Sequence, residues 1–141
     1  MKYLANDFSI ELPEPAFEDQ TNHVFEVKLR EGEVAGLVVM RRRLPEGQTL
    51  REAIQARILE EAKRFSGYSV LGEREATVAA GPVFEVRARW RHDTRTIYQR
   101  QAHLLDGGVW MILAMRTPFG DSALCDRWMD DIVGSLELRG G

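Results

Sequence analysis

Cysteine is nearly absent from this chain. The single one, Cys125, can form no internal disulfide. It lies among apolar positions at helical spacing and reads as a buried, inert thiol. Nothing in the placement of His23, His92 and His103 supplies it with a partner base. Long apolar runs are missing too. The longest uncharged one, Val109 to Met115, falls far short of the roughly 20 residues that span a bilayer. The first residues, Met1 to Asp7, contain no apolar h-region, no cleavage site and no cysteine for lipid attachment. The chain is therefore expected to stay in the cytoplasm with no direct membrane anchoring. Nor does one sign of charge dominate. With 19 Lys and Arg against 22 Asp and Glu, the net charge is −3, which gives no electrostatic case for a nucleic-acid partner. The run Arg41-Arg42-Arg43 is local and reads as a solvated strand end.

Familiar catalytic patterns are also missing. No Gly-rich phosphate loop follows a strand, and no cysteines or histidines stand at metal-ligand spacing. Glu60-Glu61 and Asp130-Asp131 are neighbours on helical stretches and read as solvated charges. His103 reads as a hydrogen-bonded structural residue. These absences favour a binding protein over an enzyme and suggest neither cofactor nor metal. There is no internal repeat, linker or low-complexity stretch, so residues 1–141 are expected to form one domain. A chain of 141 residues buries roughly two thirds of its unfolded surface, enough for a core without staples.

What is present is a succession of strands with two helices. Phe8 to Leu12 alternates apolar and polar and should be a half-buried strand ended by Pro13 and Pro15, with a turn region over Phe17 to Thr21. His23 to Leu29 and Val34 to Arg42 read as strands joined at Gly32. Thr49 to Glu52 matches a capping box, opening a helix whose apolar stripe is Leu50, Ile54, Ile58, Ala62 and Phe65, with Gly67 as its C-terminal cap. Four strands follow, over Tyr68 to Ala79, Val83 to Arg91, Arg95 to Leu105 and Val109 to Arg116. Asp121 or Ser122 can cap a final helix that presents Leu124, Cys125, Trp128, Met129, Ile132, Val133 and Leu136. Short hairpin links predict an α+β fold: an antiparallel sheet of about six to seven strands with two main helices packed on it, on one face or one on each.

Three strand features point to binding. Ile97, Gln99, Gln101 and His103 share one face of a strand; they are either a solvated face or a row of hydrogen-bonding groups in a groove. Val38 and Met40 share a strand phase with Gly36, where missing side-chain bulk permits close approach; ordinary core is the alternative. The strands around Val38 and Ile112 are apolar in both phases, so a sheet face left bare by the helices would be an interaction surface or a dimer interface.

At this point the order of residues resembles the Eag chaperones, the effector-associated proteins of type VI secretion. The resemblance rests on Phe8-Ser9-Ile10-Glu11-Leu12-Pro13, on Phe17-Glu18-Asp19-Gln20-Thr21-Asn22 followed by Phe25, and on Leu37-Val38-Val39-Met40-Arg41. It continues through Pro45-Glu46-Gly47, Phe65-Ser66-Gly67 and Gln99-Arg100-Gln101, covering nearly the whole chain. It implies a PsbP-like fold and a homodimer whose sheets form a cradle. It implies a chaperone that shields the N-terminal hydrophobic, transmembrane segments of a secreted effector until that effector, which carries a PAAR-like domain, is loaded on the spike. Gly36, Val38, Met40, Gln99 and Gln101 fit such a client-binding groove, and by similarity Arg57 and Phe65 would reach it. The chain departs from the family in having Gly36 and Met40 where small or hydroxyl residues are expected, and Arg57 where a neutral amide is expected. Two other readings compete: a homodimeric adaptor of the same fold without a client, and a small anion-binding enzyme built around His103, Arg100, Arg87 and Arg89.

Overall fold

The computed structural model describes residues 2–4, 9–11, 22–30 and 32–138. Two short strands, β1 (Lys2–Leu4) and β2 (Ser9–Glu11), pair antiparallel. The main sheet is built from β3 (His23–Arg30), β4 (Glu33–Arg43), β5 (Ser66–Val78), β6 (Gly81–His92), β7 (Arg95–Asp106) and β8 (Val109–Pro118). Helix α1 (Leu50–Arg64) lies between β4 and β5, and α2 (Ser122–Ser135) follows β8 through a 3-10 turn at Phe119–Asp121.

The six strands lie in the order β3-β4-β8-β7-β6-β5, every neighbouring pair antiparallel. This is the expected α+β architecture, at the lower strand count. Strands β5 to β8 form a meander of tight hairpins. Gly107, at φ 63°, takes the left-handed backbone of one turn, and Asp93, at φ 56°, does the same in another because aspartate tolerates that region better than most residues.

The connection from β4 to β5 decides the layout. β4 and β5 are separated in the sheet by β8, β7 and β6, so α1 has to cross one face to join them. Its inward side, with Ala53 and Ile54 buried, packs on Phe84, Val86, Ile112 and Ala114. Helix α2 packs on the opposite face, where Cys125, Met129 and Val133 meet Ala102, Leu104 and Leu113. The two helices therefore cover one face each. The two-sided apolar character of β8 follows from this sandwiching, as for any strand covered on both faces. Full burial of side chains such as Ile54, Ile112 and Leu113 stabilises the fold by about 1.5–3 kcal/mol each.

Several local expectations are corrected. The capping box is present, with the Glu52 amide donating to Thr49 Oγ1 and the Thr49 amide to Glu52 Oε1. The helix ends earlier than Gly67, however. Phe65 is already extended at the C-cap, and Gly67, at φ 67°, sits at an irregularity where β5 begins to pair with β6. Ala62 faces solvent, and Glu61 takes the buried position expected of it. Asp121 occupies the N-cap position of α2 but gives no cap hydrogen bond; its carboxylate is held instead by Arg30. Of the first expected strand only Ser9–Glu11 falls in the described residues; Phe8, Leu12, Pro13, Pro15 and the turn over Phe17 to Thr21 lie outside them. Among the described residues no helix is long and apolar enough to cross a membrane.

Candidate functional site

Helix geometry brings Ala53, Ile54, Arg57, Ile58 and Glu61 to the inward side of α1, since residues three and four apart share a face. The last of these is a carboxylate, 5% exposed. A buried ionised carboxylate is unfavourable unless its acceptor positions are filled. Strand β7 fills them, because Gln99 and Gln101, two apart, point the same way. Gln101 Nε2 donates to Glu61 Oε1 at 2.6 Å, and Gln99 Nε2 to Glu61 Oε2 at 3.4 Å. Tyr68 on β5 donates its hydroxyl to Oε2 at 3.1 Å. Burial and the Glu61 charge raise the Tyr68 pKa, which keeps that proton in place. Arg57 Nε stands 3.6 Å from Oε1.

The relay continues outward on both sides. The indole N–H of Trp110 donates to His103 Nδ1 at 3.1 Å. An indole can only donate, so Nδ1 is unprotonated and the ring proton sits on Nε2. His103 Nε2 then donates to Gln101 Oε1 at 2.8 Å, which orients the amide so that its nitrogen faces Glu61. Burial, with Arg57 in support, pushes the His103 pKa down to about 3, so the ring is neutral. On the other side Arg116 Nε donates to Gln99 Oε1 at 2.8 Å.

Arg116 marks the way out of the core. Its guanidinium carbon lies 4.9 Å from the Trp90 ring centre and 5.2 Å from that of Phe65, and the two rings stack at 4.4 Å. Beyond them opens a cleft of about 710 Å³ whose apolar walls include Val34, Gly36, Phe65, Trp90, Ile97 and Pro118. A Cβ added at Gly36 would meet nothing closer than the Phe25 carbonyl oxygen at 4.0 Å, so the strand floor there is open.

The register of β4, β8 and β7 places Gly36, Val38, Met40, Gln99 and Gln101 on the face that α1 covers. Arg57, beside Glu61 and Met40, and Phe65, stacked on Trp90, join them there. The structure thus gathers all seven expected groove residues on one face but divides them. Met40, Gln99 and Gln101 are buried beneath α1, and the donors of both glutamines are committed to Glu61. Gly36, Val38, Arg57 and Phe65 keep partial exposure, and Gly36 and Phe65 line the cleft. The solvated-face reading of Gln99, Gln101 and His103 is therefore corrected.

Sequence reasoning missed Glu61, Trp90 and Arg116. Glu61 had a signal, for it stands seven residues after Ile54 and four after Arg57 on the same stripe. Arg116 had none, since its role depends on Gln99 and on the aromatic pair.

The residues of the enzyme alternative are divided between the two faces of the sheet: Arg87 and Arg100 are cross-strand partners that line one pocket on the α2 side, and His103 is not among them. His103 faces α1, whereas Arg100 lies on the α2 side, where Arg100 Nε meets Glu85 Oε2 and Arg100 Nη2 meets Asp130 Oδ1, each at 2.5 Å. Asp130, expected to be solvated, is thus a partner of a buried arginine. Among the described residues no group of three His, Cys, Asp or Glu side chains is placed to hold a metal ion.

The chain belongs to the DcrB family, whose profile matches residues 8–135. Its structure is similar to the crystal structure of PA94 from Pseudomonas aeruginosa, a protein of unknown function described as a putative regulator. The TM-score is 0.82 at 15% identity, covering 99% of this chain and 96% of that one. It is also similar to LpqN of Mycobacterium tuberculosis, described as involved in cell envelope biogenesis, with a TM-score of 0.51 at 9% identity, covering 77% of this chain and 79% of that one. At these identities the likeness carries the fold alone. No curated protein matches the sequence.

Proposed function

We propose that this DcrB-family chain is a cytoplasmic chaperone or adaptor. It would shield the N-terminal hydrophobic segments of a type VI secretion effector bearing a PAAR-like domain, acting as a homodimer and not as an enzyme. The observation that carries this reading is the cleft beside α1, with Gly36 in its floor and Phe65, Trp90 and Ile97 in its walls. Next to it the edge strand β3 presents Val24, 64% exposed, and Phe25, 55% exposed, on opposite faces of the sheet. Of the two, Val24 shares the α1 face with the cleft, and open apolar surface of this kind suits a partner that is itself apolar. A segment destined for a membrane aggregates in water unless such a surface covers it. The buried glutamines take a different part from the one the sequence suggested. They fix α1 to the sheet and so hold one wall of the cleft, while Gly36, Val38, Arg57 and Phe65 remain for contact.

The test is co-purification with a candidate effector that carries an N-terminal hydrophobic segment and a PAAR-like domain, the complex being weighed by size-exclusion chromatography with light scattering. The reading expects a complex that disappears when the effector's hydrophobic segment is deleted. A soluble effector that never co-elutes, beside a lone dimer of this chain, would favour an adaptor that uses its apolar face for self-association.

A further inference from the structure

The cleft beside α1 is apolar in its walls but not neutral at its rim. Arg64, Arg91, Arg95 and Arg116 line it, against Glu33 and Asp93, an excess of two positive charges on a chain whose net charge is −3. Of the two acids, Glu33 is engaged by Arg30 at 2.9 Å, and Asp93 projects into solvent with its side chain 86% exposed. No carboxylate among the described residues pairs with Arg64, Arg91, Arg95 or Arg116. Arg116 is the most constrained of the four. Gln99 holds its Nε at 2.8 Å and the Phe65 and Trp90 rings pack against its plane, so its terminal nitrogens are oriented without an acceptor among the described residues. It also feels the like charges of Arg57 and Arg64, opposed by Glu61. Glu61 cannot take this cation directly, for its oxygens already accept from Gln99, Gln101 and Tyr68.

An arginine held by its Nε and stacked on aromatic rings has lost side-chain freedom before any ligand arrives. Its remaining N–H groups match the two oxygens of a carboxylate. Arg116 is exposed at the mouth of the cleft, so the pairing gains weight over an open surface only as an apolar segment seated there displaces water.

We propose that the cleft selects an apolar helical segment of a partner protein that carries an aspartate or glutamate, whose carboxylate is bound by the terminal nitrogens of Arg116 with the arginine rim in support. The inference rests on the apolar-segment reading of the cleft and adds a chemical requirement to it.

The experiment uses two fluorescein-labelled peptides, each a lysine-flanked Leu/Ala helix of about 16 residues, roughly 24 Å long. They differ only in a central Glu or Gln. Binding to the full chain is followed by anisotropy at pH 7.5. The expected result is a preference of about tenfold for the Glu peptide, falling as salt is added and abolished in Arg116→Gln. Arg64→Gln, on the exposed rim, should reduce the preference without abolishing it, and serves if Arg116→Gln proves unstable by its thermal midpoint. Equal binding of the two peptides to the wild-type chain would overturn carboxylate selection and leave the shielding reading standing. Failure to bind either peptide would overturn the apolar-segment reading and this inference with it. Binding of dodecanoate but neither peptide would make the occupant a lipid acid, which also overturns the proposal.

Discussion

Gln101 donates its amide N–H to Glu61 at 2.6 Å, at a depth where a carboxylate is unfavourable unless every acceptor position is used. This contact joins α1 to the centre of the sheet, and it depends on Trp110 and His103 two steps away. Replacing Glu61 with alanine would orphan the Gln99 and Gln101 donors and the Tyr68 hydroxyl together. The expected loss is about 2–4 kcal/mol, read as a lower urea midpoint at unchanged slope. Gln101→Leu should also destabilise, because it strands Glu61 Oε1 and the His103 proton. A loss below about 0.5 kcal/mol for Glu61→Ala would mean that the relay is not formed in solution.

His103 supplies a pH signature. Its folded pKa is pushed down to about 3 from an ordinary 6.5, by burial first and by Arg57 second. Unfolding returns the ring to water, so below 6.5 the unfolded chain takes up a proton that the folded chain refuses. The contribution is fully present above that value and is lost as pH falls toward the folded pKa, with a slope of about 1.4 kcal/mol per pH unit. In His103→Gln that one-proton slope should vanish between about pH 6 and 5, above most carboxylate titrations. Denaturant melts across this window check it, and identical slopes in the two proteins would place the ring in contact with water.

The other face carries its own polar knot. Glu85 and Arg100 are each 4% exposed and meet at 2.5 Å. Burial alone would lower the Arg100 pKa, but hydrogen bonds to Glu85 and Asp130 outweigh it, and the charge is kept. Removing one member of such a pair leaves the other buried and charged. Arg100→Met should cost about 3–5 kcal/mol, and the double variant with Glu85→Met less than the two single costs combined. Additive costs in a double-mutant cycle would show that the two groups do not act on each other.

The strand order of events was legible in the sequence because hairpin turns and alternation are local signals. Val83 to Arg91 alternates cleanly, Gly107 marks a turn, and Thr49 with Glu52 announces a helix start. The faces of the helices were less legible. Which side of the sheet α1 takes follows from the sheet order, in which β8 inserts itself beside β4, and no local pattern states that. Glu61 was misread because composition places glutamates in water, whereas its helical phase placed it inside. Of the site, the row Gln99, Gln101, His103 and the opening at Gly36 were visible as strand patterns. Arg116 was not, because it becomes distinctive only when Gln99, Phe65 and Trp90 are brought to it by three separate elements.

Cys125 reports on native packing. It is fully buried against α2's neighbours, and burial pushes its thiol up to about 12, so the thiolate that reacts with alkylating reagents is scarce at neutral pH. Iodoacetamide at pH 8 should leave the folded chain unmodified for hours, then label it once in denaturant, which mass spectrometry distinguishes directly. Rapid labelling of the native chain would mean that α2 opens often.

Gly36 offers the cleanest separation of binding from folding. A Cβ added there has the Phe25 carbonyl oxygen, at 4.0 Å, as its nearest atom, the residue lines the cleft, and the backbone is that of an ordinary strand. Gly36→Trp should therefore change stability by less than about 1 kcal/mol, since the Cβ position is open and β-propensity favours the aromatic. The indole would fill the floor of the cleft opposite Phe65 and displace any apolar segment bound there. The expected outcome is an unchanged thermal midpoint with at least a tenfold loss of affinity for the hydrophobic segment of the effector, or loss of the co-purified complex. Met40→Ala should act on stability because Met40 is already covered by α1, and Val38→Asp should do so as well because Val38 packs against the same cluster. If Gly36→Trp keeps full affinity while Met40→Ala abolishes it at unchanged stability, α1 must lift away to admit the client, and the binding surface is the buried sheet rather than the open cleft.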